Sequence, residues 1–536
     1  MTGPVTEHPA AIDGAIGLYR AGDFRLTDGR CTDCDAIPQA LWYFRDEAIA
    51  VPRRGLPVAG FARGATAFDD VARWAASHAP GAPADYPTLI WVGSPAVLRG
   101  ARLDAAGRQV SVDGTTMAFD VVPKIPLNRS YYNAASVAYF AGRTLKMRGE
   151  IAAGRFTARA IWPEDFRLDV GVPAVESGVT AADASPEAVR KLLREQPRGG
   201  ATSGFAAIGL WERTPGAAGG CVGKPVLAAM LNGAQGDDDE AHGGHFAIVT
   251  GRVGPNGAID DWMANNFYTL DLFSEKGIIA AALPLDRYLA DLNSGQAWYR
   301  PSHLLVAILR DDRTAAHVQG ALNRVYNQFY RHQLVYGNVT MNCAGISIDA
   351  LRALGWNVPA RKPVGRVLAW LAVPWVALRE RSLARARQAF DYLSEDGTRM
   401  FPAAAFEETA ADLLRLPTQP GSRQLTPFET MLAQDIEALV WLRVPQLPSS
   451  RVWGDYAVVT GREYAARLPS DRRQAKIIPV PPRPFPAELR DADLLPPPAS
   501  RSAQAVVLWA VVSLAGIPWL LWRWWQSQKK GENLLT

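Results

Sequence analysis

Two apolar runs, HFAIVTGRV starting at His245 and WMANNFYTL starting at Trp262, flank the turn signal Gly254-Pro255-Asn256-Gly257. Runs of that length around such a turn predict an antiparallel hairpin. The hairpin then fixes which side chains share a face. If it turns on Pro255-Asn256, paired positions sum to 511 and His245 faces Asn266. If it turns on Asn256-Gly257 the sum is 513, and Asn266 is a diagonal neighbour of His245 on the same face. A bulge would give that place to Asn265 instead.

His245 opens its strand behind Gly243-Gly244, where the backbone can turn sharply and leave the ring at a strand end facing a cleft. About a hundred residues on, Asn342-Cys343-Ala344-Gly345 begins a helical pattern in which Ile346, Ala350 and Leu354 recur before Gly355. Asn342 fits the N-cap. Cys343 then sits in the first turn, where backbone N–H groups and the helix dipole favour a thiolate and can cradle an oxyanion. The plain alternative is a small buried apolar residue. A thiol nucleophile needs a base, and the base needs an orienting group; Cys343, His245 and Asn266 (or Asn265) supply that set. The polar loop before the strand allows a rival reading, with Asp237, Asp238, Asp239, Glu240, His242 and His245 as metal ligands. Such acidic runs beside glycines are commonly solvated loops, so neither a metal nor a cofactor is assigned. Cys221 has no helix start after it and ranks below Cys343. Cys31-Thr-Asp-Cys34 has the spacing of a redox dithiol or half a zinc site, but lacks companions and reads as two ordinary thiols.

His at a strand start, a polar residue on the next strand and Cys at an Asn-capped helix start resemble the circularly permuted papain-like superfamily. That superfamily includes the NlpC/P60-related thiol hydrolases, the lecithin-retinol acyltransferase-like proteins and bacterial membrane-associated relatives. The resemblance rests on Gly244-His245-Phe-Ala-Ile-Val-Thr-Gly251, Asn265-Asn266 and Asn342-Cys343-Ala-Gly345, and covers roughly residues 204–356. It implies a cysteine-dependent acyl-transfer enzyme acting on a peptide or lipid. Cys343 would attack an acyl carbon, His245 would act as base and then acid, and Asn266 would hold the imidazole. The Cys343 N–H would serve the oxyanion. The competing class is a membrane-tethered binding protein that keeps the same fold as scaffold.

With 536 residues and 48% hydrophobic content the chain can bury several cores. Its net charge of +4 is spread out, which argues against a nucleic-acid partner. Four cysteines make no disulfide framework. Residues 1–170 read as a β-rich domain with one helix from Phe68 to His78, and 171–203 as a linker with a short helix from Pro186 to Glu195. The thiol-enzyme domain spans 204–360. Residues 361–477 read as mainly helical, including a helix from Pro427 to Arg443 that starts at the capping box Thr426-Pro427-Phe428-Glu429. Val367 to Leu378 is an apolar run containing Pro374, followed by RERSLARAR. It is too short to span a bilayer and reads first as a buried helix, second as an interfacial one. The Pro-dense 478–500 reads as a spacer.

Ala505 to Trp522 carries no charge, and Trp509, Trp519, Trp522, Trp524 and Trp525 resemble an interfacial belt. These features predict a transmembrane helix over 503–525 with a basic tail over 526–536, anchoring the chain to a bilayer in a single pass. Three basic residues on each side leave orientation open, and the absence of an N-terminal signal pattern tilts the globular part towards the cytoplasm. The expected fold class is therefore α+β: a β-rich domain, a permuted papain-like domain, a helical region and one transmembrane helix.

Overall fold

The computed structural model describes residues 14–81, 83, 85–123, 132–170, 184–194, 204–232, 244–270, 279–337, 341–363, 365–449 and 484–491. The N-terminal part begins with a two-strand pair, β1 (Ala15–Ile16) and β2 (Tyr19–Arg20), and a three-stranded sheet of β3 (Phe24–Thr27), β4 (Ile49–Pro52) and β5 (Ile90–Trp91). Two helices accompany it, α1 (Pro38–Tyr43) and α2 (Ala67–Ser77).

Five further strands close into a barrel: β6 (Ala96–Leu103), β7 (Gln109–Val112), β8 (Thr115–Val121), β9 (Leu145–Ala152) and β10 (Arg155–Pro163), with α3 (Ala134–Phe140) between β8 and β9. The β9–β10 hairpin turns at Ala153 and Gly154, which have φ values of 49° and 72°. Parallel pairing of β10 with β8 completes the barrel.

After α4 (Pro186–Arg194) comes a seven-stranded antiparallel sheet. Its strands are β11 (Ala206–Glu212), β12 (Pro225–Asn232), β13 (His245–Arg252), β14 (Met263–Asn266), β15 (Ala281–Pro284), β16 (Ser302–Leu309) and β17 (Ile436–Val444), in the order β11-β17-β16-β12-β13-β14-β15. Strands β12 and β16 are buried along their whole length, and β13 along all but its last residue. They read as near-continuous apolar runs rather than alternating ones because both faces of the sheet are covered.

The helices are α5 (Leu285–Ala290), α6 (Arg313–Tyr330), α7 (Cys343–Ala353), α8 (Arg366–Glu380), α9 (Leu383–Ser394), α10 (Gly397–Met400), α11 (Pro402–Thr418) and α12 (Pro427–Asp435). Gln319 of α6 bonds Thr250 and Asn265, and Phe406 of α11 packs edge-on against Trp441, so α6 and α11 cover one face of the sheet. On the opposite face Tyr288 of α5 reaches Asn232. The barrel joins the sheet through a buried ionic cluster: Lys146 and Arg148 of β9 bind Asp261 and Asp286, and Lys146 also holds Asp260.

Three expectations are corrected here. The helix predicted from Pro427 to Arg443 ends at Asp435, although its capping box at Thr426 and Glu429 forms as predicted. Residues 436–444 become β17, between β11 and β16, because two ladders of long-range hydrogen bonds outweigh local helix propensity. The central sheet thus draws a strand from beyond residue 360.

The expected transmembrane helix over 503–525 lies outside the described residues, and no helix among those described is long and apolar enough to cross a membrane. The most apolar candidate, α8, has 15 residues and contains Pro374, so it is about 22 Å long against a hydrocarbon core of about 30 Å. Among the described residues the fold class is α+β, built of sheets and helices, with no helix able to span a membrane, so the expected spanning helix and the single-pass placement inferred from it find no support there.

Within the expected spacer, residues 484–491 pack onto the globular body. Phe485 lies against Trp42, Tyr43 and His332, and Arg331 binds Asp491 at 2.6 Å.

Candidate functional site

Asn342 caps α7 as its sequence predicts. Its side chain accepts from the Gly345 N–H at 3.0 Å, and its amide donates to the Met400 carbonyl at 2.7 Å. That second bond ties the helix start to α10. Cys343 is the first helical residue and is 3% exposed.

The β13–β14 ladder pairs Ile248 with Asn265, Val249 with Ala264 and Thr250 with Met263. Beyond Ile248 the edge of β13 is open, and there the Phe246 backbone N–H donates to the Cys343 sulfur. The N–H groups of Ala344 and of Cys343 itself and the Tyr336 side chain also bond the sulfur. All four favour a thiolate. Burial opposes them and wins, pushing the thiol up to about 11 from its ordinary 9.0. The expectation that the helix start would favour a thiolate is corrected: burial outweighs the helix start, and Cys343 is a neutral thiol at neutral pH.

His245 begins β13 directly after Gly244, whose φ of +86° supplies the sharp backbone turn. It pairs across the ladder with Asn232, on the sheet face opposite α6 and α11, and is 8% exposed. Its ring lies 6.2 Å from that of Tyr288 and 6.4 Å from that of Tyr268. The Tyr288 phenol is held far above its usual range, first by burial and then by Cys343, whose thiol ionises before it, so Tyr288 is a neighbour common to thiol and imidazole. Its hydroxyl donates to Asn232 Oδ1 at 2.8 Å, and Asn232 donates to Ser302 Oγ at 2.5 Å. On the other flank Tyr268 packs 5.5 Å from Tyr336.

The register sum is 513, so Asn266 shares the His245 face. It is buried; its Nδ2 donates to the Ile279 carbonyl at 3.3 Å, while its Oδ1 has no hydrogen-bond partner among the described residues. Asn265 is excluded as the orienting group. It lies on the opposite face and exchanges two 2.9 Å bonds with Gln319.

Sequence reasoning missed Tyr288, Tyr336 and Asn232. Asn232 ends an apolar strand as an ordinary polar boundary would, Tyr288 sits on the short helix α5 and Tyr336 on the segment between α6 and α7, so no local pattern marks them.

The other candidates fall away from this site. Cys221 is buried, and burial raises its thiol. Cys31 and Cys34 are joined in a disulfide, not two ordinary thiols, and Arg25 lies 2.8 Å from the Cys31 sulfur while pairing with Asp33. Asp237, Asp238, Asp239, Glu240 and His242 lie outside the described residues; among those described, no group of three or more His, Cys, Asp or Glu side chains could hold a metal. A cleft of about 520 Å³ opens at the junction of barrel and sheet, between Arg99, Trp162, Arg252 and Asp260, and includes neither Cys343 nor His245. The chain matches no protein family, no curated protein and no solved structure.

Proposed function

We propose that the chain is a cysteine-dependent acyl-transfer enzyme of the permuted papain-like kind, cleaving or transferring an acyl group held as an amide or ester. The observation that carries this reading is the seat of the Cys343 sulfur: the first turn of an Asn-capped helix, against the backbone N–H that follows His245.

Cys343 is the nucleophile. His245 takes the thiol proton as the sulfur attacks the acyl carbon, then protonates the leaving group. The N–H groups of Phe246, Cys343 and Ala344 lie beside the sulfur and are the donors nearest to hand for the developing oxyanion. Asn266 Oδ1, on the His245 face, is the acceptor available to orient the imidazole. Because the resting thiol is neutral, the proton must leave in concert with substrate entry.

A second reading, a binding protein on the same scaffold, is favoured by the 3% exposure of the thiol. Acid-quenched mass spectrometry after exposure to an activated acyl ester separates the two. The enzyme reading expects an acyl adduct on Cys343 that forms at least about 100-fold more slowly in His245→Ala. Equal rates in the two proteins would sink it.

A further inference from the structure

Helices α8 and α9 form a hairpin whose outer surface is apolar. Leu368, Leu371, Trp375 and Leu378 are 52, 54, 59 and 72% exposed. Their spacing of three, four and three residues aligns them as one stripe along α8. The opposite side of α8 closes the hairpin, with Ala369 and Ala386 fully buried and Trp370 packed 4.9 Å from Phe390. Of the ten large apolar side chains exposed among the described residues, seven belong to these two helices. Single exposed apolar residues are unremarkable, but a concentrated stripe marks a surface that is covered by something. The reading of Val367–Leu378 as a buried helix is thereby corrected.

The charges around the stripe indicate what covers it. Arg379, Arg381, Arg385 and Arg387 are exposed at the end of α8 and the start of α9, with Glu380 as the exposed acid among them. The Arg379 guanidinium lies 4.8 Å from the Trp375 ring, with the cation beside the aromatic at the edge of the stripe. A second copy docked parallel through this surface would bring two arginine clusters together, and one docked antiparallel would leave both clusters without an anionic partner. An anionic phospholipid surface matches both parts: acyl chains for Leu371, Trp375 and Leu378, phosphates for the arginines. Fifteen residues are too few to span, so the helix lies in the plane of the interface.

We infer that the α8–α9 hairpin docks in the plane of an anionic phospholipid surface through Leu368, Leu371, Trp375 and Leu378, with its arginines on the headgroup phosphates. The inference is independent of the thiol chemistry proposed above.

The test is hydrogen exchange of the full chain, read over residues 366–394, with vesicles of phosphatidylglycerol and phosphatidylcholine or of phosphatidylcholine alone. Reading that peptide alone keeps the apolar segment 505–522 from deciding the result. Exchange there should slow on the anionic vesicles at least about tenfold. The slowing should be lost in Trp375→Glu, with unchanged melting because that side chain packs no core. It should weaken in a variant with Arg379, Arg381, Arg385 and Arg387 changed to Ser, and with added salt. With p-benzoylphenylalanine in place of Leu378, photocrosslinks should go to lipid. The inference is overturned if the hairpin is unprotected while the chain sediments with vesicles. Protection that appears with protein concentration and no lipid, or equal protection on both vesicle types, would also overturn it.

Discussion

The Cys343 sulfur accepts a hydrogen bond from the backbone N–H of Phe246, the residue that directly follows His245. Two segments almost a hundred residues apart therefore meet at one peptide group, and the thiol is held there without direct exposure to water. Burial costs the thiolate more than the Phe246, Ala344, Cys343 and Tyr336 hydrogen bonds return.

The first prediction concerns reactivity. With the thiol pushed up to about 11, iodoacetamide labelling of Cys343 should be slow at neutral pH and rise about tenfold per pH unit towards 11. Tyr336→Phe removes a bond that favours the thiolate, so the curve should move to higher pH. The linked effect on stability has a definite sign. The raised thiol contributes fully below pH 9 and its contribution is lost as pH climbs from 9 to 11. Peptide-resolved alkylation rates would measure it; a rate plateau below pH 8 would contradict it.

The two asparagines of β14 should behave differently. Asn266→Ala loses the buried bond to the Ile279 carbonyl, at a cost of about 1 kcal/mol, and should lower the rate of Cys343 acylation per folded molecule. Asn265→Ala breaks the paired bonds to Gln319 and should cost about 1–3 kcal/mol of stability, with little effect on acylation per folded molecule. Denaturant titration beside acylation kinetics tests both.

Lys146 is fully buried and contacts Asp260, Asp261 and Asp286. Burial works against the Asp260 carboxylate, yet Lys146 and Arg99 hold it below its usual range. Lys146→Met leaves these acids short of positive charge and should destabilise the protein by about 3–5 kcal/mol. Unfolding monitored by circular dichroism gives the value, and a loss below 1 kcal/mol would show that Arg99 and Arg148 suffice.

His303 is pushed down from 6.5 to about 3, first by burial and then by Arg443. A depressed histidine binds its proton in the unfolded chain first, so stability falls as pH drops from 6.5 towards 3, by about 1.4 kcal/mol per unit. Neither ring nitrogen has a hydrogen-bond partner among the described residues, so His303→Phe removes no bond and should flatten that slope by one proton. Stability curves at pH 4, 5, 6 and 7 decide it.

The disulfide gives a simple count. Denatured, unreduced protein should take up two alkyl groups, at Cys221 and Cys343, and four after reduction. Four groups without reduction would contradict the Cys31–Cys34 pairing.

The sequence by itself determined the features whose causes are local. Gly254 to Gly257 set the 245–266 hairpin, Asn342 set the start of α7, and Thr426 with Glu429 set the start of α12, since turn and cap chemistry acts within a few residues. Tertiary structure decided the rest. Ile436–Val444 became a strand because β11 and β16 left a slot for it. The register chose Asn266 over Asn265 for the His245 face, since one residue of slip exchanges the faces of a strand. The charge state of Cys343 also followed from packing. A helix start raises the odds of a thiolate, but desolvation depends on everything that closes over the sulfur, and those residues come from β13, α5 and the Tyr336 segment.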